Sequence, residues 1–153
     1  MLKIGEIAPL FTAEGTKGHF DLRTYLGKKH IVLIFYPRDN SSLCTKQLCT
    51  VRDEKSQYNK LDTIVVGINQ ASLKDHQVFA DKYHFDFPLL HDENRFINRL
   101  YEVGNAFMRL TRQQRSVIVI GKDGLIHYAE QGARSTNDIM EAIRHSSKVV
   151  YPK

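Results

Sequence analysis

The chain holds two cysteines, Cys44 and Cys49, five positions apart. Two thiols so close can serve as a nucleophile and its redox partner, as metal ligands, or as small buried apolar residues. Tetrahedral metal sites favour a C-x-x-C pair with further Cys or His close by in sequence. Here the histidines nearest in the chain, His30 and His76, belong to other segments, and there is no second cysteine pair. No metal site is expected. In a reducing compartment stable structural disulfides are rare and paired thiols tend to be redox-active, which leaves redox chemistry against plain burial.

Geometry sharpens the redox reading. On one α-helix, positions five apart differ by about 7.5 Å of rise and about 140° of rotation, which puts their Cα atoms about 8.6 Å apart. A disulfide spans at most about 6.8 Å between Cα atoms. Pairing Cys44 with Cys49 would therefore require a turn or two of helix to unwind, and the resulting bond would be readily reduced by an external dithiol. Cys44 follows the strand-ending Pro37 by seven residues, at the expected start of a helix. Free N–H groups and the helix dipole favour an anion there and lower the pKa of a thiol. A thiol near pKa 8.5 is about 3% ionised at pH 7, and one near 6 is about 90% ionised.

The elements that would hold this pair can be read from the pattern. Residues 31–36 (IVLIFY) form an apolar, β-branched and aromatic run ended by Pro37, the mark of a strand buried on both faces. Residues 63–69 read the same way. Residues 116–120 (SVIVI), then GKDG, then 125–128 (LIHY) predict a β-hairpin, with these two central strands antiparallel. Helices are predicted over 44–61, with Ser41 or Ser42 as N-cap, from Ser72 through Tyr83, over 92–103, and after Ser135. The predicted class is α/β: a thioredoxin-like fold with a mixed central β-sheet flanked by helices, in one domain over residues 1–153.

Composition excludes several function classes. Apolar residues make up 42% of the 153 and charged residues 25%, which argues against a disordered or disulfide-scaffold chain. The net charge of +5, from 22 Lys and Arg against 17 Asp and Glu, is a mild excess without a long basic block. Lys28-Lys29-His30 and the stretch 109–115 are short and separated, so a solvated basic face is favoured and no nucleic-acid partner is expected. No run approaches the roughly 20 apolar residues of a membrane span, and no leader pattern opens the chain. A cytoplasmic protein with no membrane partner is the expectation.

Taken together, Pro37, Ser41 and Cys44 form a PxxxSxxC motif, followed by Cys49, that resembles the active-site signature of the peroxiredoxins. The CTKQLC spacing is similar to that of the peroxiredoxin Q group, also called bacterioferritin comigratory proteins. Gly5, Ala8, Pro9 and Phe11, then IFYPRD, VRD, DHQVFADKYHFDFPLLHD and RSVIVIGKDGLI agree in order and spacing, so the resemblance covers nearly the whole chain. It implies that Cys44 is the peroxidatic cysteine and becomes a sulfenic acid, which Cys49 resolves to an intramolecular disulfide. Ser41 would supply the hydroxyl that the family usually carries on threonine. Arg115 would stabilise the thiolate and the peroxide oxygens, and Pro37 would shield the pocket. Alone, each of these three has an ordinary reading as helix cap, surface arginine or strand end; their joint spacing is what is specific.

The implied substrates are hydrogen peroxide and organic hydroperoxides, with thioredoxin or a similar dithiol as reductant, no cofactor and a monomeric state. The chain departs from the family's usual Thr-Pro-Gly-Cys, which reads Ser41-Ser42-Leu43-Cys44, and carries Val117 where a small polar residue is usual. These departures bear on rate or specificity. A redox sensor or binding module that signals through the same disulfide is the other reading, and a disulfide oxidoreductase is disfavoured because such enzymes use C-x-x-C.

Overall fold

The computed structural model describes residues 1–103 and 115–148. Strand β3 (His30–Phe35) is buried along its whole length, because its alternate side chains feed two separate cores. In chain order the other elements are β1 (Thr12–Gly15), β2 (Gly18–Asp21), α1 (Ser42–Asp53), α2 (Lys55–Lys60), β4 (Thr63–Asn69) and α3 (Leu73–Tyr83). Then follow β5 (Leu89–His91), α4 (Phe96–Leu100), β6 (Ser116–Ile120), β7 (Ile126–Gln131) and α5 (Thr136–Lys148). Among the described residues the strands form one seven-stranded sheet in the order β2-β1-β5-β4-β3-β6-β7. It is mixed: β3 runs parallel to β4 and antiparallel to β6, and β4 is parallel to β5.

Val32, Ile34 and Tyr36 point into one core with Leu48, Val51, Tyr58, Phe79, Ile139 and Ile143 from α1, α2, α3 and α5. Ile31, Leu33 and Phe35 point into the other, with Phe11, Phe20, Ile97 and Tyr101. The mixed sheet between helices is therefore as the pattern predicts, with four differences. Strands β1, β2 and β5 are three or four residues long (TAEG, GHFD, LLH), too short to show an alternation. Strand β7 lies at an edge of the sheet rather than at its centre. The helix predicted over 44–61 begins at Ser42 and is split at Glu54, whose φ and ψ of −98° and 15° break it into α1 and α2.

The helix predicted over 92–103 is also shorter. Asn94 and Arg95 both take left-handed backbone angles within a 3₁₀ turn, so α4 begins only at Phe96. The buried carboxylate of Asp92 caps it by accepting from the Ile97 N–H at 2.7 Å and the Asn98 N–H at 3.0 Å. Burial pushes the Asp92 carboxyl up against the pull of those two bonds. No helix among the described residues is long and apolar enough to cross a membrane. Nor do the described residues contain a His, Cys, Asp and Glu cluster able to hold a metal ion.

Along β4 only Gly67–Asn69 pair with β5, so residues 63–66 have no strand beside them on the side away from β3 among the described residues. A hollow of about 310 Å³ lies along this bare edge, lined in part by Lys17, Lys29 and Lys55.

His30 opens β3 and is buried. Its Nε2 donates to Ser147 Oγ at 3.0 Å, and that hydroxyl donates onward to the Ile143 carbonyl at 3.1 Å. Burial first, and then the charge of Lys122, hold His30 below its ordinary value. The unfolded chain therefore binds a proton that the folded one refuses. This contribution to stability is present above about pH 6.5 and is lost as pH falls toward the depressed folded value. The urea midpoint should drop between pH 7.5 and pH 5.5, and His30→Gln should flatten that drop; an equal drop in both proteins would contradict it.

Candidate active site

The loop between β3 and α1 starts where the ladder stops. Tyr36 makes the last backbone bond, its N–H to the Ile68 carbonyl at 3.3 Å, and Pro37 has no N–H with which to continue. Asn40 takes a left-handed φ of 63°, which asparagine tolerates, and turns the chain into the helix. The first intrahelical bond runs from the Thr45 N–H to the Ser41 carbonyl at 2.8 Å. Ser42, Leu43 and Cys44 thus occupy the first turn, where N–H groups have no partner within the helix and the dipole is positive. The backbone of Cys44 is the third residue of α1, and its side chain lies outside the described part of the structure.

Arg115 reaches the same end of the sheet by a different route. It is the residue before β6, and Ser116 is paired with Phe35 across the antiparallel β3–β6 ladder. The Gly132 N–H donates to the Arg115 carbonyl at 2.8 Å, which fixes the backbone between its neighbours, and the side chain is half-buried. Pro37, Ser41, the first turn of α1 and Arg115 therefore gather at one end of β3. Of the basic stretch 109–115 only Arg115 lies within the described residues. The Ser41 hydroxyl is 3.5 Å from the Arg38 carbonyl.

Cys49 lies farther along the same helix as a free thiol, half-buried against the core under α1. Since α1 is continuous from Ser42 to Asp53, its backbone keeps the two cysteines beyond disulfide reach. Arg52 stands one turn on. Its Nε donates to Asp53 at 3.0 Å and its Nη1 to the Tyr83 carbonyl at 2.6 Å. Asp53 first, then the nearby Cys49 thiol, hold the Arg52 guanidinium above its ordinary range.

Helix α1 is weakly held for one so close to the core. Its buried apolar anchors are Leu48 and Val51. Gln47 is also buried, and neither its amide nitrogen nor its oxygen has a partner among the described residues. Thr50 adds a back-bond from its hydroxyl to the Lys46 carbonyl at 2.9 Å, a contact that tends to bend helices.

A polar cluster behind the loop escapes a reading of the sequence. Asp39 Oδ1 accepts from the Tyr36 hydroxyl at 2.7 Å and from Asn69 Nδ2 at 3.1 Å, while Oδ2 lies 2.8 Å from His76 Nδ1. His76 Nε2 donates to the Leu90 carbonyl at 3.0 Å. His76 is fully buried. The signal was available: His76 shares the face of α3 that carries Phe79 and Ala80, at i, i+3 and i+4. Gly67 makes room for Tyr36 on β4, because a Cβ there would lie 3.2 Å from the tyrosine ring and 2.8 Å from Leu89.

Comparison with known proteins matches residues 4–129 to the AhpC/TSA family. A protein named putative peroxiredoxin bcp from Coxiella burnetii is 34% identical over 129 residues, covering 82% of this chain and 85% of that one. Peroxiredoxin Bcp of Bacillus subtilis is 28% identical over 151 residues, covering 94% of each. A chloroplastic peroxiredoxin Q of Triticum aestivum is 33% identical over 124 residues, of which this chain spans 57% of the length. Among solved structures, peroxidoxin BcpB of Mycobacterium tuberculosis superposes with a TM-score of 0.85 at 23% identity, over 95% of this chain and 98% of that one. Peroxiredoxin Q of Xanthomonas campestris gives 0.80 at 21% identity, over 90% and 92%. The fold they share with this chain is thioredoxin-like.

Proposed function

Since the chain belongs to the AhpC/TSA family and is a peroxiredoxin, a thiol-dependent peroxidase that spends a thiol reductant on a peroxide, we propose that Cys44 is its peroxidatic cysteine and Cys49 its resolving cysteine. The observation that carries this is the start of α1: three N–H groups without helical partners, Cys44 among them, beside the strand end that bears Arg115. The Cys44 thiolate attacks the distal peroxide oxygen and the O–O bond breaks. The sulfur keeps that oxygen as a sulfenic acid, and the alkoxide or hydroxide leaves and takes a proton to become alcohol or water.

Arg115 and the Ser41 hydroxyl donate to the charge that moves onto the oxygens, and Pro37 keeps water out of the pocket. The first turns of α1 then unwind, for which the poorly partnered Gln47 lowers the cost. The Cys49 sulfur displaces hydroxide from the sulfenic sulfur, which leaves as water and yields the Cys44–Cys49 disulfide. Thioredoxin or a similar dithiol reduces that bond by exchange and is itself oxidised. The chain works as a monomer in this reading.

One equivalent of hydrogen peroxide added to fully reduced protein in a stopped-flow instrument tests the scheme. Rapid loss of two thiols, with a Cys44–Cys49 bond located by mass spectrometry, is expected. Loss no faster than that of free cysteine would reject it and favour a sensor with a slow thiol. Cys49→Ser should still take up the first equivalent at the wild-type rate and then fail to turn over with dithiol, while excess peroxide carries its Cys44 to sulfinic acid with a second equivalent. Sustained turnover of that variant without an added monothiol would contradict the resolving role.

A further inference from the structure

We infer that Asp39 and His76 are positioning residues for the peroxide step: a buried carboxylate–imidazole latch that holds the loop of Pro37 and Ser41 still while α1 unwinds beside it. The inference rests on the assignment of Cys44 made above. Three groups face the Asp39 carboxylate, and each comes from a different place: the Tyr36 hydroxyl at the end of β3, the Asn69 amide at the end of β4, and His76 from α3. His76 is in turn tied to β5 through the Leu90 carbonyl, which accepts from Nε2, and a further proton lies between Nδ1 and Asp39 Oδ2, since two bare acceptors would repel at 2.8 Å.

None of these partners belongs to α1. Opening its first turns to bring Cys49 to Cys44 breaks no bond of the latch. The loop thus has a fixed side, fastened to the sheet and α3, and a moving side, the weakly anchored α1. They meet between Ser41 and Ser42, where the helix begins. The latch is dry: the Asp39 side chain is 7% exposed and that of His76 is 0% exposed, so removing either leaves a buried polar partner unmatched. Pro37 and Ser41 lie two residues either side of Asp39. Their placement is what the latch would set, and a shift of about 1 Å at a reacting site can cost on the order of 100-fold in rate.

Two half-reactions separate positioning from general damage. Asp39→Ala and His76→Ala should each lower kcat/KM for hydrogen peroxide by about tenfold or more. The rate at which a dithiol reduces the preformed disulfide should stay unchanged, since α1 is already open in that form. Asp39→Asn should recover most of the loss, because its amide oxygen still accepts from Tyr36 and Asn69 and its nitrogen can donate to His76 Nδ1. A wild-type peroxide constant in Asp39→Ala, or an equal fall in both half-reactions, overturns the latch. Should the alanine variants fail to fold, Tyr36→Phe removes one bond to the carboxylate, and its peroxide half-reaction alone should slow; no change there also overturns it. Wild type assayed alongside distinguishes the two readings: an inactive wild type rejects the peroxidatic assignment and the latch with it, whereas an active one beside an indifferent Asp39→Ala rejects only the latch.

Discussion

Cys44→Ser is expected to bring peroxide consumption down to the rate of the buffer. A serine hydroxyl is not ionised near neutral pH, and the first-turn N–H groups that favour a thiolate cannot make it so. Cys49 offers no substitute. It sits mid-helix, where its backbone N–H belongs to the helix ladder, and its half-buried thiol faces the core under α1. Thiol titration with 5,5′-dithiobis(2-nitrobenzoate) before and after peroxide would leave one thiol unreacted in this variant. Wild-type turnover in Cys44→Ser would remove the central residue of the scheme.

Arg115→Ala is expected to lower kcat/KM for peroxide by about 100- to 1,000-fold, the loss typical of removing a donor aimed at developing charge. Arg115→Lys should recover only part of it, because a point charge cannot make the forked contact that a guanidinium makes with two oxygens. The same variant should need a higher pH for full thiolate formation, followed by absorbance near 240 nm. The backbone bond from Gly132 to residue 115 survives either substitution, so the melting temperature should move little. A peroxide constant within about threefold of wild type in Arg115→Ala would mean that the guanidinium does not reach the reacting atoms.

How much of this could be read in advance depended on the period of the signal. Strands β3, β4 and β6 are continuous apolar runs and emerge within a residue of their ends, and the β6–β7 hairpin turns around Gly121 and Gly124 as predicted, although β7 runs on to Gln131, three residues past the predicted Tyr128. Strands β1, β2 and β5 owe their existence to neighbours rather than to their own residues, which no local pattern reports. The start of α1 was legible from Pro37 and the serines. Its break at Glu54 was not, since nothing in EKSQ forbids a helix. The site followed the same rule: PxxxSxxC and an arginine opening a strand are spacings, whereas the Asp39–His76 contact joins residues 37 apart and appears only once β4 and α3 are folded onto the loop.

The bare flank of β4 gives part of the chain's positive charge a different purpose. Backbone groups of residues 63–66 that face away from β3 are the kind of template on which a second chain can build a strand, and natural sheets guard such places with lysine. Lys17, Lys29 and Lys55 stand around this one. Lys29 leans on Asp62 and Lys55 on Asp86, so the ring is held over the opening by its own counter-charges. Lysines so placed beside strand groups that lack a neighbour among the described residues make pairing with a second chain less favourable, a use of positive charge that needs no nucleic acid.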